Sequence, residues 1–344
     1  MSTEKNTVNV LYPFDDNYAP YAGISITSLF ENNRSADAIN VYILGFGLSD
    51  DNRDRLSRTA QKYGRNMIFL DPAGISSYID RLDMPSYRGA SVAAARLFIA
   101  DYLPEGIDRI IYLDSDTLIV GDITSLVNED MDGCPVAMVA DSVARKYKTF
   151  IGFADTEVYH NAGMILYDLG RWRELCCTER ILEHIVNVRK NYEALDQDLI
   201  NIVMKGQIKT ILPAYDLQPF HAVYEPGTYL DVTGHDGYYS EEEIKQAVSS
   251  PVMLHCFRYL GMFPWHRDSV HPWRDDFNRY KQMSLWQDLP EATDSMKGFV
   301  FTVERLMYRI CPPKMFLKLF MLVYNRSMRK NDQKRRSDRQ ISNL

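Results

Sequence analysis

Cysteine is scarce in this sequence. The five residues, Cys134, Cys176, Cys177, Cys256 and Cys311, are odd in number and form no Cys-x-x-Cys pair. Neither a disulfide framework nor a cysteine zinc site is suggested, and a reducing, cytoplasmic setting is expected. Long apolar runs are also missing. The longest strong one, Met315 to Tyr324, is about half of what a bilayer-spanning helix needs and contains Lys318. Met1 to Thr7 is polar and runs straight into a strand-like stretch, without the basic-then-apolar order of a secretion signal. Internal repeats and low-complexity linkers are absent as well.

What is present is enough apolar material, 46% of 344 residues, for a large α/β core. Charge is unevenly placed. Residues 296–344 carry 12 Lys/Arg against 3 Asp/Glu, so a net of −7 leaves an acidic body and a basic tail.

Val8 to Tyr12, Asn40 to Leu44 and Met67 to Leu70 are short β-branched-rich runs separated by stretches of helical spacing, a pattern that predicts a mostly parallel sheet. Tyr21, Ile24, Ser28 and Leu29 share one face of the first crossover helix, and Ser49 before Asp50 and Asp51 is a plausible N-cap of the second. A third helix is expected over Ala90 to Tyr102. It leads into Arg109 to Leu113, which is apolar on both faces and so reads as a central strand. Further strands are expected at Val136 to Ala140, Gly163 to Tyr167, Ile208 to Leu212 and Val252 to Cys256, with helices at Thr178 to Tyr192 and Asp196 to Met204. Past Pro272 the pattern changes to helical segments broken by prolines, which places a boundary near residue 275.

The central strand ends in Asp114-Ser115-Asp116. Two carboxylates at i and i+2 in extended backbone point to one side, at the sheet edge where α/β proteins hold ligands. Such a pair suits Mg²⁺ or Mn²⁺ with positions left open for diphosphate oxygens, although Asp-x-Asp is also common in plain turns. The first strand ends in another polar cluster, Asp15-Asp16-Asn17-Tyr18, which offers carboxylate, amide and aromatic groups for a nucleoside. Asp16 or Asn17 is equally suited to cap the helix that follows.

Asp15-Asp16-Asn17-Tyr18, Arg96-Leu97, Tyr112-Leu113-Asp114-Ser115-Asp116, Asn161-Ala162-Gly163, Asp196-Gln197-Asp198 and His255 followed by Pro264-Trp265 occur in the order seen in glycosyltransferase family 8. From about Val8 to Asp268, including Ile151-Gly-Phe-Ala-Asp155, the chain resembles the bacterial lipooligosaccharide α-galactosyltransferases of that family, which is related to glycogenin. The resemblance implies a GT-A fold, a UDP-hexose donor, Mn²⁺ (with Mg²⁺ as the alternative) and retention of anomeric configuration. It implies Asp114, Asp116 and His255 as metal ligands. It also implies Asp15, Asn17 and Tyr18 on uridine, Arg96 on donor sugar and phosphates, Asn161 and Asp196 on sugar hydroxyls, and Asp141 on the sugar or acceptor side. Gln197 matches the residue near the reacting face of the anomeric carbon, flanked by Asp196 and Asp198 as the remaining catalytic candidates. An amide is a poor nucleophile, so the expected role of Gln197 is to orient groups and stabilise positive charge. Read without the resemblance, His255 is a core histidine, Arg96 an exposed helix residue, and Asp196 and Asp198 helix N-terminal acids.

One departure stands out. Where the family has His-x-x-Gly-x-x-Lys-Pro-Trp, this chain has a run two residues longer with Phe263 at the lysine position. Arg258, Arg267 and His266 are the replacement cations, Arg258 first. The expected function is hexosyl transfer, of galactose or glucose, to a lipid-linked glycan in envelope polysaccharide or lipopolysaccharide synthesis. The alternatives are a glucosyltransferase of soluble or protein-bound acceptors and a catalytically silent sugar-nucleotide or glycan binder. Residues 1–275 form the expected catalytic domain and 276–344 a helical, basic region. In the latter, Lys314, Lys318, Asn325 and Arg329 border an apolar surface containing Met315, Phe316, Leu319, Leu322 and Val323. With Phe299, Val303, Leu306, Met307 and Ile310 before it and Lys334-Arg335-Arg336 after it, this region is expected to hold the enzyme peripherally on the anionic inner face of the cell membrane. Nucleic acid is not an expected partner, because the acidic body opposes it.

Overall fold

The computed structural model describes residues 7–75, 90–188, 192–235, 237–293 and 298–342. Residues 1–6 of the polar N-terminal stretch and residues 189–191 of the helix expected over Thr178 to Tyr192 lie outside them. In chain order the strands are β1 (Thr7–Asp15), β2 (Ala38–Phe46), β3 (Asn66–Leu70), β4 (Arg109–Leu113) and β5 (Thr117–Ile119). They are followed by β6 (Val136–Met138), β7 (Met164–Asp168), β8 (Ile208–Thr210) and β9 (Met253–His255). The helices used below are α1 (Ala19–Asn32), α2 (Asp50–Tyr63), α3 (Ala90–Ala94), α4 (Cys177–Val188) and α5 (Leu195–Val203). Three more follow near the C-terminus: α6 (Arg274–Met283), α7 (Phe299–Ile310) and α8 (Pro313–Ser342).

Seven strands form one sheet in the order β3-β2-β1-β4-β7-β6-β8. The first four are parallel, with α1 and α2 as the crossovers that carry the chain from β1 to β2 and from β2 to β3. β7 runs antiparallel to both of its neighbours. Side chains alternate between two cores: Val10, Tyr12 and Phe14 of β1 face one, and Leu11 faces the other.

Ser49 caps α2, accepting from the Asn52 backbone N–H, and Gly64 closes it in the left-handed conformation. Neither Asp16 nor Asn17 caps α1. Its N-cap residue is Tyr18, which makes no side-chain cap bond, and Asp16 instead accepts hydrogen bonds from the backbone and hydroxyl of Ser49 and from Asn52 Nδ2. That carboxylate ties the end of β1 to the start of α2. α1 is buried around most of its circumference and not on the single expected face, since β5 and α6 pack over its outer side. Its polar residues are satisfied internally: the Ile119 N–H donates to Ser28 Oγ, and Ser25 Oγ lies 2.9 Å from the Tyr12 hydroxyl.

The helix expected over Ala90 to Tyr102 is interrupted. α3 is a short turn followed by 3₁₀ segments at Ala95–Leu97 and Ile99–Asp101. The Arg96 carbonyl accepts from the Tyr167 hydroxyl at 2.8 Å, a tertiary bond that replaces a helical one, and the Arg96 side chain is buried.

Residues beyond 275 do not pack apart from the rest. Phe277, Tyr280 and Trp286, then Phe316, Leu317 and Met321 of α8, belong to the same apolar core as β1 and α1. A second set of apolar side chains in α7 and α8 stays at the surface, among them Leu306, Ile310, Met315, Leu319, Leu322 and Val323. The side chains of Phe299, Arg335 and Arg336 lie outside the described set. Among the described residues, no helix is long and apolar enough to cross a membrane.

Candidate active site

β4 delivers Asp114 to the sheet edge, where its N–H donates to the Gly163 carbonyl at 2.9 Å. The chain then turns, held by the Thr117 hydroxyl donating to the Asp114 carbonyl, and enters β5. β5 pairs antiparallel with β9 in the register Thr117 opposite His255, which sets the imidazole beside Asp116. Ligand atoms of Asp114, Asp116 and His255 all lie within 4.8 Å of one another, and His255 Nε2 is 3.6 Å from Asp116 Oδ1. That spacing is close to twice the ~2.1 Å bonds of a small divalent cation.

The surroundings aim these groups. His255 Nδ1–H donates to Asp216 Oδ1 at 2.9 Å, so Nε2 is the nitrogen that faces the two acids. Asp216 is fully buried. Asp114 Oδ1 accepts from the Tyr112 hydroxyl at 2.7 Å and from Arg96 Nη2 at 2.9 Å, which leaves Oδ2 for a ligand. Gly163 is required by space: a Cβ there would sit 1.9 Å from His255 Cε1. Burial raises the Asp114 carboxyl to about 6 against the lowering effect of Arg96. Burial also opposes charge on His255, but Asp216 and Asp116 outweigh it and hold the imidazole pKa well above its ordinary value.

The three residues stand between two lobes of a cleft, each about 480 Å³. The first lobe is lined by Asp15, Asn17, Tyr18, Arg96, Asp114 and Asp116. The Tyr18 ring is 40% exposed, available to stack on a base, and its neighbour Tyr21 is stacked on Trp265 at 4.1 Å. The second lobe contains Asp141, Asn161, Asp196, Gln197, His255 and Arg258.

A sequence model of glycosyl transferase family 8 matches residues 9–269. The chain belongs to glycosyltransferase family 8. It is 27% identical over 281 residues to general stress protein A of Bacillus subtilis, covering 80% of this chain and 93% of the relative. It is 28% identical over 287 residues to lipopolysaccharide 1,2-glucosyltransferase of Escherichia coli K12, covering 82% of this chain and 79% of that one. Lipopolysaccharide 1,3-galactosyltransferase of Salmonella typhimurium is 25% identical, with 83% and 80% covered. Among solved structures, galactosyltransferase LgtC in complex with donor and acceptor sugar analogs superposes with a TM-score of 0.66 at 23% identity, over 81% of this chain and 96% of that one. The fold is thus GT-A.

In this family 8 chain the second lobe is cross-linked by hydrogen bonds. Arg96 donates to Asp114 and, at 2.8 Å, pairs with Asp196, while its guanidinium lies 4.5 Å from the Tyr112 ring centroid. Gln197 Oε1 accepts from the Ala162 N–H, and Nε2 donates to Asp141 Oδ2 and to the Tyr159 hydroxyl oxygen. Asp141 also accepts from Asn161 Nδ2 and from the N–H groups of Val143 and Ala144. The amide of Gln197 is therefore fixed in one orientation.

Asp198 is placed differently from its neighbours. It points away from the cleft and is fully buried, accepting from the hydroxyls of Tyr147 and Tyr159. Its contact with the site runs through Tyr159 to Gln197. Burial raises its carboxyl to about 7, against the two phenolic donors. Because the folded pKa exceeds the unfolded one, the native state binds the extra proton between about pH 4 and pH 7, and this group's contribution to stability falls as pH rises through that window. Relative to Asp198→Asn, wild type should lose on the order of 2 kcal/mol of stability between about pH 5 and pH 8. Urea denaturation of both proteins at the two pH values measures the difference; parallel behaviour would reject the assignment.

Phe263, at the expected lysine position, stacks on Trp265 at 4.4 Å with an interplanar angle of 10°, and Arg258 lies over its other neighbourhood, 4.8 Å from the ring centroid. Of the three replacement cations, Arg258 lines the cleft, His266 is buried and accepts from the Phe263 N–H, and Arg267 is exposed. Asp216, Tyr112 and Tyr159 were not singled out as site residues by sequence reading. Asp216 is far from every motif and only the pairing of β9 with β5 brings His255 onto it, while Tyr112 reads as one more residue of a buried strand.

Proposed function

We infer that this chain is a retaining, Mn²⁺-dependent hexosyltransferase that takes its sugar from UDP and gives it to a lipid-linked glycan. The observation that carries this reading is the Asp114, Asp116 and His255 cluster at the junction of two lobes, one equipped for a nucleoside and one for a sugar. Mn²⁺ suits two carboxylates and an imidazole. When bound, such a cation neutralises diphosphate charge and supports its departure. Asp15, Asn17 and Tyr18 then hold uridine, and Arg96 faces the donor sugar and phosphates.

In the transfer, the bond between acceptor oxygen and anomeric carbon forms as the bond from that carbon to the phosphate oxygen breaks. The acceptor proton passes to the released phosphate. Asp141 and Asp196 are each engaged by protein donors, and Gln197 is a poor nucleophile, so same-face attack without a covalent enzyme intermediate is the favoured route. Gln197 Nε2 is held by Asp141 and Tyr159, which keeps the amide at the reacting face. The similarity to lipopolysaccharide 1,2-glucosyltransferase and lipopolysaccharide 1,3-galactosyltransferase supports glucose or galactose as the sugar. A screen of UDP-sugars with Mn²⁺ for UDP release tests the reading, and NMR of the product's anomeric proton tests retention. No turnover of any UDP-hexose, or inversion, would overturn it.

Arg258 takes the diphosphate-neutralising role of the missing lysine. Arg258→Ala should weaken UDP binding about tenfold and uridine binding hardly at all, measured by calorimetry with Mn²⁺ present. Equal losses would remove Arg258 from that role.

The basic, apolar C-terminal surface attaches the enzyme to anionic lipid. Truncating before Met296 would strip Phe316, Leu317 and Met321 from the core, so surface substitutions are the better test. Leu306, Leu319 and Leu322 are 56%, 42% and 53% exposed, and Lys314, Lys318 and Arg326 lie on the same helix or beside it. Full-length protein should cosediment with phosphatidylglycerol vesicles in a salt-sensitive way, each basic residue adding about 1 kcal/mol. Leu306→Glu combined with Leu319→Glu and Leu322→Glu should cut binding tenfold or more; undiminished binding would return the surface to ordinary solvent exposure.

A further inference from the structure

The second lobe has an aromatic wall made of residues outside the set assigned to the donor. Besides Asp141 and Gln197 the lobe is lined by Phe220, Phe257, Phe320 and Tyr324. Two of these come from α8, outside the stretch matched to the family, 9–269. Phe316, Phe320 and Tyr324 recur every fourth residue and so share one helix face. Phe316 is anchored in the core, which fixes where the next two turns present their rings. Phe320 lies 4.9 Å from the Phe220 ring centroid, and the rings of Phe320 and Tyr324 are 6.0 Å apart with an interplanar angle of 14°. The Tyr324 hydroxyl makes no hydrogen bond with the described residues. An aromatic face beside a free hydroxyl, in one cavity with fixed amide and carboxylate groups, fits a pyranose: its C–H face stacks on the rings and its hydroxyls meet the polar groups.

We propose that Phe320 and Tyr324 of the C-terminal helix form the platform for the acceptor's terminal pyranose, with the ring lying on Phe320 and a hydroxyl meeting Tyr324. The placement rests on the reading that the donor sugar lies against Asp141, Asn161 and Gln197. Leu319, Leu322 and Val323 project from the same turns to the surface, so the wall that receives the acceptor sugar is continuous with the apolar face. The protein therefore joins acceptor recognition and surface attachment in one helix.

The test uses full-length protein with methyl β-galactoside, methyl β-glucoside and lactose as probes. Saturation-transfer NMR in the presence of UDP and diamagnetic Mg²⁺ reports binding, and with a UDP-hexose and Mn²⁺ the ratio of transfer to hydrolysis reports productive placement. Phe320→Leu, which keeps an apolar side chain but removes the flat face, and Tyr324→Phe, which removes only the hydroxyl, should each lower binding and the transfer-to-hydrolysis ratio about tenfold. Phe320→Tyr should restore both. The platform is overturned if wild type binds none of the three sugars, or if the Leu and Phe variants behave as wild type. It is overturned too if transfer and hydrolysis fall together, which would place the residues on the donor. Sugar binding that depends on Phe320 in a chain releasing no UDP would instead reject the proposed function and leave the platform standing.

Discussion

Asp114→Ala and Asp116→Ala abolish Mn²⁺-dependent binding of UDP: calorimetry should show a loss of more than about a hundredfold in affinity for each, with thermal unfolding close to wild type. On the proposed reading each carboxylate supplies one of three ligand atoms at the sheet edge, and neither side chain belongs to the apolar core. Asp216→Ala should have a graded effect, about ten- to a hundredfold, because it removes no ligand but releases the His255 ring to turn. Asp216→Asn, whose carbonyl still accepts from Nδ1–H, should recover most of the orientation. These four variants therefore separate ligation from alignment. Undiminished binding of Mn²⁺ and UDP by the Asp114→Ala, Asp116→Ala double variant would dismiss the cluster as a metal site, and equal losses in Asp216→Ala and Asp216→Asn would make Asp216 a matter of charge alone.

Gln197→Ala lowers kcat about a hundredfold while KM for the donor moves little. The amide is clamped by the Ala162 N–H on its oxygen and by Asp141 and Tyr159 on its nitrogen, so it has no freedom to follow the substrate. Its interaction grows only as positive charge appears at the anomeric carbon. Steady-state kinetics of UDP release checks this, and a rise in KM at constant kcat would make Gln197 a ground-state binding residue. Because Tyr159 passes between Gln197 and Asp198, Tyr159→Phe should show a smaller fall of the same kind.

How far the sequence reached depends on the range of the interactions concerned. Ser49 before two acids signalled a helix start, and the structure has the cap, since a cap is made within four residues. The run Arg109 to Leu113 was legible as a central strand because its four residues after Arg109 are apolar or aromatic on both faces, and all four are buried. The helix over Ala90 to Tyr102 was misjudged in its second half, where a hydroxyl from Tyr167 takes a backbone carbonyl that helical spacing would assign locally. Asp16 looked like a cap of α1 and instead holds α2, a choice between two nearby helix ends that only their packing resolves.

By itself the sequence determined the α/β alternation, the carboxylate pair after a buried strand, and the family, because these are set by period-2 and helical patterning and by ordered short motifs. The tertiary structure alone decided that β5, only three residues long, pairs with β9 and so carries His255 to Asp116. It also decided that Asp198 turns inward to two tyrosines, and that α8 both enters the core and walls the cleft. Each of these is a contact between residues dozens to hundreds of positions apart, and side-chain periodicity along a chain records which face is buried, not which distant partner buries it.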